Sequence, residues 1–301
     1  MKLLALLIGL VVERLATQLF HLRRQPWMDR AIDFGFRQAA RFQNWPALIP
    51  IVLLAFVLVA PVLAVRFGLG DIWFDLPYLL LGIIVLFISL GPKDIGEDIH
   101  EYCRAIEEDD AEGIVSRAKA IAETDVPDNA AERTRLVEES VCIQANNRLF
   151  AVVFWFVLLG PVGAWTYRVT DLIRRRAVFN VLREELPGDA PIVDASETLH
   201  GWLAWIPARL TAIGYALAGS FDGALGAWRT KDEEEPGTVH GQSERLLARV
   251  GTGALALQDL DGETEAERGI RGAQAANGLV YRLLFIWAAV IAAMTLYGWS
   301  E

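Results

Sequence analysis

Leu149-Phe150-Ala151-Val152-Val153-Phe154-Trp155-Phe156-Val157-Leu158-Leu159-Gly160-Pro161-Val162-Gly163-Ala164-Trp165-Thr166-Tyr167 carries no charged residue, and a Gly-Pro-Val-Gly sequence interrupts it. A run this long and apolar matches the roughly 20 residues needed to cross a hydrocarbon layer about 30 Å thick. Pro161 lacks an N–H, and Gly160 and Gly163 weaken a helix, so the hydrogen bonding breaks inside the run. Arg168, Arg174, Arg175, Arg176 and Arg183 follow. A straight crossing would leave these arginines outside, against the tendency of Lys and Arg to collect on the cytoplasmic side. A helix–break–helix re-entrant element returns them to the cytoplasm, because irregular backbone is tolerated at membrane depth when it is buried in protein or lines a wet cavity. Two readings stand, a plain span and a re-entrant element, and charge favours the second.

Similar runs lie at 42–65, 76–92 and 283–300, with charge gathered between them. The 301 residues are 53% hydrophobic, with 28 Lys+Arg against 38 Asp+Glu and a mean hydropathy of +0.31. That composition excludes disorder. A net charge of −10 also argues against nucleic acid as a partner, which needs a basic face. Leu3–Phe20 reads as a first membrane helix that stays attached, because no small-residue cleavage site follows its apolar stretch. Pro46–Val65 and Leu76–Pro92 form a hairpin around a linker with Gly68, Gly70 and Asp71. Arg23, Arg24, Arg30, Arg37 and Arg41 place 22–44 inside, as seven basic residues place 93–148. Leu283–Ser300 closes the chain with its C-terminus outside.

Residues 198–221 contain Arg209 as their lone charge, beside Trp202, Trp205 and Tyr215. They read as an interfacial helix pair or a second re-entrant element. The stretch 94–147 predicts two or three amphipathic helices, with Asp110 and Asp128 as N-caps and a turn over 124–129. The acidic run 232–235 is a loop tip, and 244–257 resumes a helix. The fold expected is all-α: a polytopic integral membrane protein with broken or re-entrant elements and cytoplasmic helical segments. Its parts are 1–95 (membrane helices about 3–20, 46–65 and 76–92), 96–147 (cytoplasmic helices), 148–228 (broken membrane or interfacial helices), 229–277 (cytoplasmic acidic loop and amphipathic helix) and 278–301 (the last span).

Few residues here suggest chemistry. Glu13 and Arg14 interrupt an apolar helix, where a charge costs about 2.5–3.5 kcal/mol on insertion scales and so must face protein or water; they line a polar groove or snorkel to the interface. Glu139 and Asn146 share a helix face with Cys142 at spacings of three and four, and Arg148 follows. Such a carboxylate and amide suit a polar headgroup, a sugar or a cation; the bland alternative is a solvated face. Tyr167 and Arg168, with Asp171, come just after the break, and Arg174–Arg176 reads as a topogenic cluster near anionic lipid. Arg209 either reads a phosphate or carboxylate or snorkels. Cys103 and Cys142 read as reduced thiols. His21, His100, His200 and His240 lie far apart in sequence, so no metal site and no cofactor is expected. No phosphate-binding glycine loop, dinucleotide fingerprint, nucleophile elbow or zinc-protease motif occurs.

Leu136-Val137-Glu138-Glu139-Ser140, Phe154–Gly160, Gly163-Ala164-Trp165-Thr166-Tyr167-Arg168 and Pro207–Ala212, in this order, resemble the membrane protein family that unites AmpE with the cobalamin-biosynthesis protein CobD/CbiB. The chain departs from the cobalamin branch. Leu22 follows His21 where that branch has an HPV-type motif. Ile143, Gln144 and Asn147 replace the second acid, the Asn and the Asp of its V-E-S-x-x-E-N-x-x-D pattern. Thr238-Val239-His240-Gly241 stands for its S-P-N element. Similarity to the AmpE branch is closer, in Glu13-Arg14, Trp27 with Asp29-Arg30, Asn146-x-Arg148 and Trp205-x-Pro207-x-Arg209-Leu210. The resemblance implies a bacterial inner-membrane accessory or signalling protein linked to β-lactamase induction and peptidoglycan recycling, with a cytoplasmic anhydro-muropeptide amidase and membrane lipid as partners and no catalytic residues assigned. The alternative it leaves is a repurposed ATP-dependent amide ligase that binds a polar ligand in an intramembrane groove.

Overall fold

The computed structural model describes residues 26–39, 41, 45–68, 76–90, 94–182, 190–230, 238–258 and 260–297. The first helix with Glu13 and Arg14, residues 69–75, Arg183 and the 232–235 acidic run lie outside the described residues. Every regular element described is helical: α1 Pro26–Ala39, α2 Leu48–Gly68, α3 Leu76–Ser89, α4 Ile95–Glu107, α5 Ala111–Ala122, α6 Ala130–Ala145, a π-helical turn Asn146–Phe150, α7 Ala151–Leu159, α8 Pro161–Leu182, α9 Ala190–Ala218, α10 Phe221–Arg229, α11 Val239–Leu255 and α12 Glu265–Leu296. Three stretches are long and apolar enough to cross a membrane: Leu48–Gly68, Ala130–Leu159 and Glu265–Thr295.

The apolar helices show what their surroundings must be. α2 buries one stripe, Ile51, Ala55 and Val59, and leaves Val52, Leu53, Phe56, Val57 and Phe67 exposed. A helix that is apolar all round and packed along one side needs hydrocarbon on the other. Its 21 residues rise about 31 Å at 1.5 Å each, enough to cross. Pro61 lies inside α2 and disturbs the hydrogen bonding of the turn before it. There Trp165 Nε1 of α8 donates to Leu58 O at 3.0 Å, a partner from a neighbouring helix.

The decisive run folds as a hairpin. α6, the π turn and α7 form one continuous column that stops at Gly160, whose φ of 71° favours a residue without Cβ. Pro161 then opens α8, a position where its missing N–H costs nothing. α8 turns back along α7: a Cβ on Gly163 would collide with the Trp155 carbonyl. Further down, Tyr167 reaches Asn147 at 3.4 Å and Arg175 reaches Gln144 at 3.2 Å. The run is therefore two helices folded back on each other at Gly160-Pro161, not one straight helix through residue 167.

The remaining helices pack around the hairpin. α12 runs beside the α6–α7 column in the same direction, with Gly269 near Thr134, Gly272 near Glu138 and Trp287 near Phe150. α4 runs opposite to α12, with Gly96 near Tyr281 and Ile106 near Gly269. Its N-cap is Asp94. Asp110 caps α5 as expected, whereas Asn129, not Asp128, caps α6. α9 continues unbroken through Pro207, and the chain breaks only after Ala218, before α10. Trp202 and Trp205 of α9 are exposed, but Tyr215 is fully buried and donates to Cys142 O at 2.8 Å; that hydrogen bond keeps it in the core and away from an interface.

Two outcomes are expected. Gly163→Ala should destabilise the detergent-solubilised protein by about 1–3 kcal/mol in thermal or denaturant unfolding, because the added methyl meets backbone that cannot yield. Single cysteines at Asp125 and Val181, both exposed, should react with an impermeant thiol reagent from the same side of the membrane; the native Cys103 and Cys142 are buried and add little background. Labelling from opposite sides would refute the hairpin.

Candidate functional site

Ionic residues are costly inside a protein unless paired, yet the polar half of the hairpin buries several. The π turn holds part of this set. It carries three consecutive polar side chains, Asn146, Asn147 and Arg148, all buried. Asp171, one turn beyond Tyr167-Arg168 on α8, is also fully buried. It accepts from Arg168 Nη1 at 2.9 Å, Arg174 Nη2 at 3.2 Å and Arg175 Nε at 2.8 Å. Their spacing of three and four residues on one helix brings all three guanidiniums to the same carboxylate.

Arg148 is the second hub. Its Nε donates to Gln144 Oε1 at 3.2 Å, its Nη1 to Asp98 Oδ2 at 3.2 Å and its Nη2 to Glu123 Oε1 at 2.8 Å. Arg175 Nη1 donates to the same Glu123 oxygen. Glu123 ends α5 with φ 58° and ψ 21°, a left-handed conformation that costs a non-glycine residue energy and persists only where its surroundings enforce it. Burial works against its charge, but Arg175 and Arg148 outweigh that and hold its carboxyl below the ordinary value of 4.5.

An amide–histidine branch extends the cluster toward α9 and α11. Asn146 Nδ2 donates to Asn147 Oδ1 at 3.1 Å, Asn146 Oδ1 accepts from the Thr211 hydroxyl at 3.0 Å, and Asn147 Nδ2 donates to Glu244 at 3.3 Å. The His200 and His240 rings meet edge to face at 5.2 Å, with Tyr167 4.9 Å from His200. His200 Nδ1 lies 3.3 Å from the Thr170 hydroxyl, and its Nε2 is 4.0 Å from Asp171. Four arginines thus face four acids, Asp98, Glu123, Asp171 and Glu244. Arg168 Nε, Arg174 Nε and His200 Nε2 make no hydrogen bond to protein, so the cluster keeps hydrogen-bonding capacity of its own. Among the described residues no three His, Cys, Asp or Glu side chains are placed to hold a metal ion.

Of the residues singled out in the sequence, the fold brings together Asn146, Arg148, Tyr167 and Arg168. It leaves two outside. Glu139 faces outward and pairs with Arg135 at 2.8 Å, while its neighbour Glu138 turns inward. Arg209 lies 3.9 Å over the Trp205 ring and donates to the Trp205 carbonyl, on the exposed face of α9. Arg174, Arg175 and Arg176, expected near lipid headgroups, are instead held by carboxylates, Arg176 by both oxygens of Asp33. Asp98, Glu123, Gln144, His200, His240, Thr211 and Glu244 had not been singled out as site residues. The two histidines stand 40 positions apart on different helices, and no local spacing joins them.

Asp171→Asn should be severely destabilising, by about 3–5 kcal/mol in unfolding of the solubilised protein, because it strips the shared counter-ion from three buried or half-buried guanidiniums. Glu123 gives a pH prediction. Its folded value is depressed, so its stabilisation is full above about pH 4.5 and is lost as pH falls through the lower folded value. Glu123→Gln should therefore be less stable than the parent at neutral pH and show a flatter acid limb in thermal unfolding.

The comparisons fit this helical membrane architecture. The chain is 28% identical over 250 residues to cobalamin biosynthesis protein CobD of Stutzerimonas stutzeri, covering 81% of this chain and 76% of that one. It is 27% identical over 221 residues to CobD of Chromobacterium violaceum, covering 70% and 62%. To Protein AmpE of Shigella flexneri it is 25% identical over 301 residues, covering 99% of each. No solved structure matches it. The family described as regulatory signalling modulator protein AmpE matches residues 1–300, and the chain belongs to that AmpE family.

Proposed function

We propose that the protein is a multi-pass inner-membrane sensory protein that acts in β-lactamase induction and peptidoglycan recycling, without catalysis of its own, beside a cytoplasmic anhydro-muropeptide amidase. One contact set supports the reading most. Arg175, on the returning limb of the hairpin, holds Asp171 on its own helix, Glu123 at the end of α5 and Gln144 on α6. A displacement of the hairpin within the membrane therefore reaches the polar helices through one guanidinium. A sensor needs an element whose equilibrium is biased at one end and read at the other, and this ionic cluster lies between the two ends.

The similarity to CobD over 81% of the chain favours a second reading, a repurposed amide ligase that binds its ligand at the same cluster. Gln144 and Asn147 stand where that branch carries an Asn and an acid, and both side chains are engaged within the cluster.

The test is made in a bacterium that carries this chain and an inducible β-lactamase. Deletion should change the induced β-lactamase level severalfold. Wild-type chain should restore it, and Arg175→Ala at equal membrane abundance should not. Unchanged induction on deletion would overturn the sensory reading. ATP hydrolysis by the purified protein that depends on an amine and a carboxylic acid would replace it with the ligase.

A further inference from the structure

At the polar end of the molecule, away from the Asp171 cluster, the start of α6, the end of α11 and the start of α12 line a half-open cavity of about 370 Å³. Its lining is of mixed character. Glu138 contributes a buried carboxylate at 5% exposure. Arg268 donates to its Oε1 and also lines the cavity, as do Arg135, Thr134, Leu255 and Leu257. α12 makes room for the acid, since a Cβ on Gly272 would strike the Glu138 carboxylate and the Arg268 guanidinium. Thr134 similarly faces Gly269.

We propose that this cavity binds a small soluble zwitterion, an amino acid or dipeptide with a free ammonium and a free carboxylate. The lining carries groups of both signs. A simple anion would bring negative charge against Glu138, and a simple cation would meet Arg268 and Arg135. A molecule carrying both charges places its ammonium on Glu138 and its carboxylate on Arg135. Arg135 is mostly exposed and is held through Nε by Glu139, and a planar guanidinium has further N–H groups for a carboxylate. Leu255 and Leu257 take the hydrocarbon between the two charges. The volume falls at the small end of the range for ligand sites, roughly 300–1,000 Å³, which suits one or two residues.

A zwitterionic lipid headgroup has related chemistry, and phosphoethanolamine in the test below separates it from a soluble peptide. This proposal does not depend on the sensory role.

Calorimetric titration of the full-length protein in detergent with alanylleucine is the direct test. Saturable binding should weaken at least tenfold when the dipeptide is N-acetylated and at least tenfold when its carboxylate is amidated. Arg135→Gln, a surface change that leaves the fold intact, should weaken the free dipeptide at least fivefold and the amide hardly at all. Glu138→Gln should abolish the preference for a free ammonium. Should that buried variant misfold, Leu257→Arg at the cavity wall provides the blocking control and should remove binding. Absence of saturable binding, equal affinity for the blocked dipeptides, or phosphoethanolamine binding as tightly as the dipeptide would overturn the proposal.

Discussion

One carboxylate, that of Asp171, sets the condition on which the buried half of this molecule depends. Taking an ion out of water costs several kcal/mol, recovered only when an opposite charge and hydrogen bonds meet it with good geometry. Arg168, Arg174 and Arg175 converge on Asp171 from a single helix. With its own helix satisfied in this way, α8 can carry a dense run of arginines back through protein. Arg175 then has donors left for Glu123 and Gln144, and Arg148 shares both of those acceptors. The hairpin is therefore attached to the polar helices by charge as well as by apolar contact.

That arrangement gives the departures from the cobalamin-branch pattern a physical sense. An acid at position 147 would add negative charge to a cluster in which four arginines already face four carboxylates. The amides present serve in both directions. Gln144 accepts from two guanidiniums, and Asn147 accepts from Tyr167 and Asn146 while donating to Glu244. A carboxylate at 147 could not make that donation.

The membrane helices were legible in the sequence because length and apolarity act locally. So was the break at Gly160-Pro161, because both residues act on their own backbone. The direction of the returning limb was legible from charge: Arg174–Arg176 had to come back. Their partners were not. Asp98, Glu123 and Glu244 belong to separate helices, and a pairing across tens of residues leaves no periodic trace. The burial of Asn146, Asn147 and Arg148 was equally hidden, because it depends on helices packed around the column from several sides. Glu139 and Glu138 illustrate the same limit, because adjacent acids on one helix have opposite fates and only packing decides between them.

Glu123 adds a mechanical consequence. Its backbone sits in a conformation that an unrestrained glutamate would leave, and two guanidiniums, one from the column and one from the hairpin, keep it there. The direction in which the 124–129 turn departs from α5 is thus fixed by cations on elements distant in sequence. Were those two arginines to separate by even the width of a water molecule, the latch would open and the α5–α6 elbow would flex. The α5–α6 elbow is thereby tied to the hairpin by charge as well as by the chain.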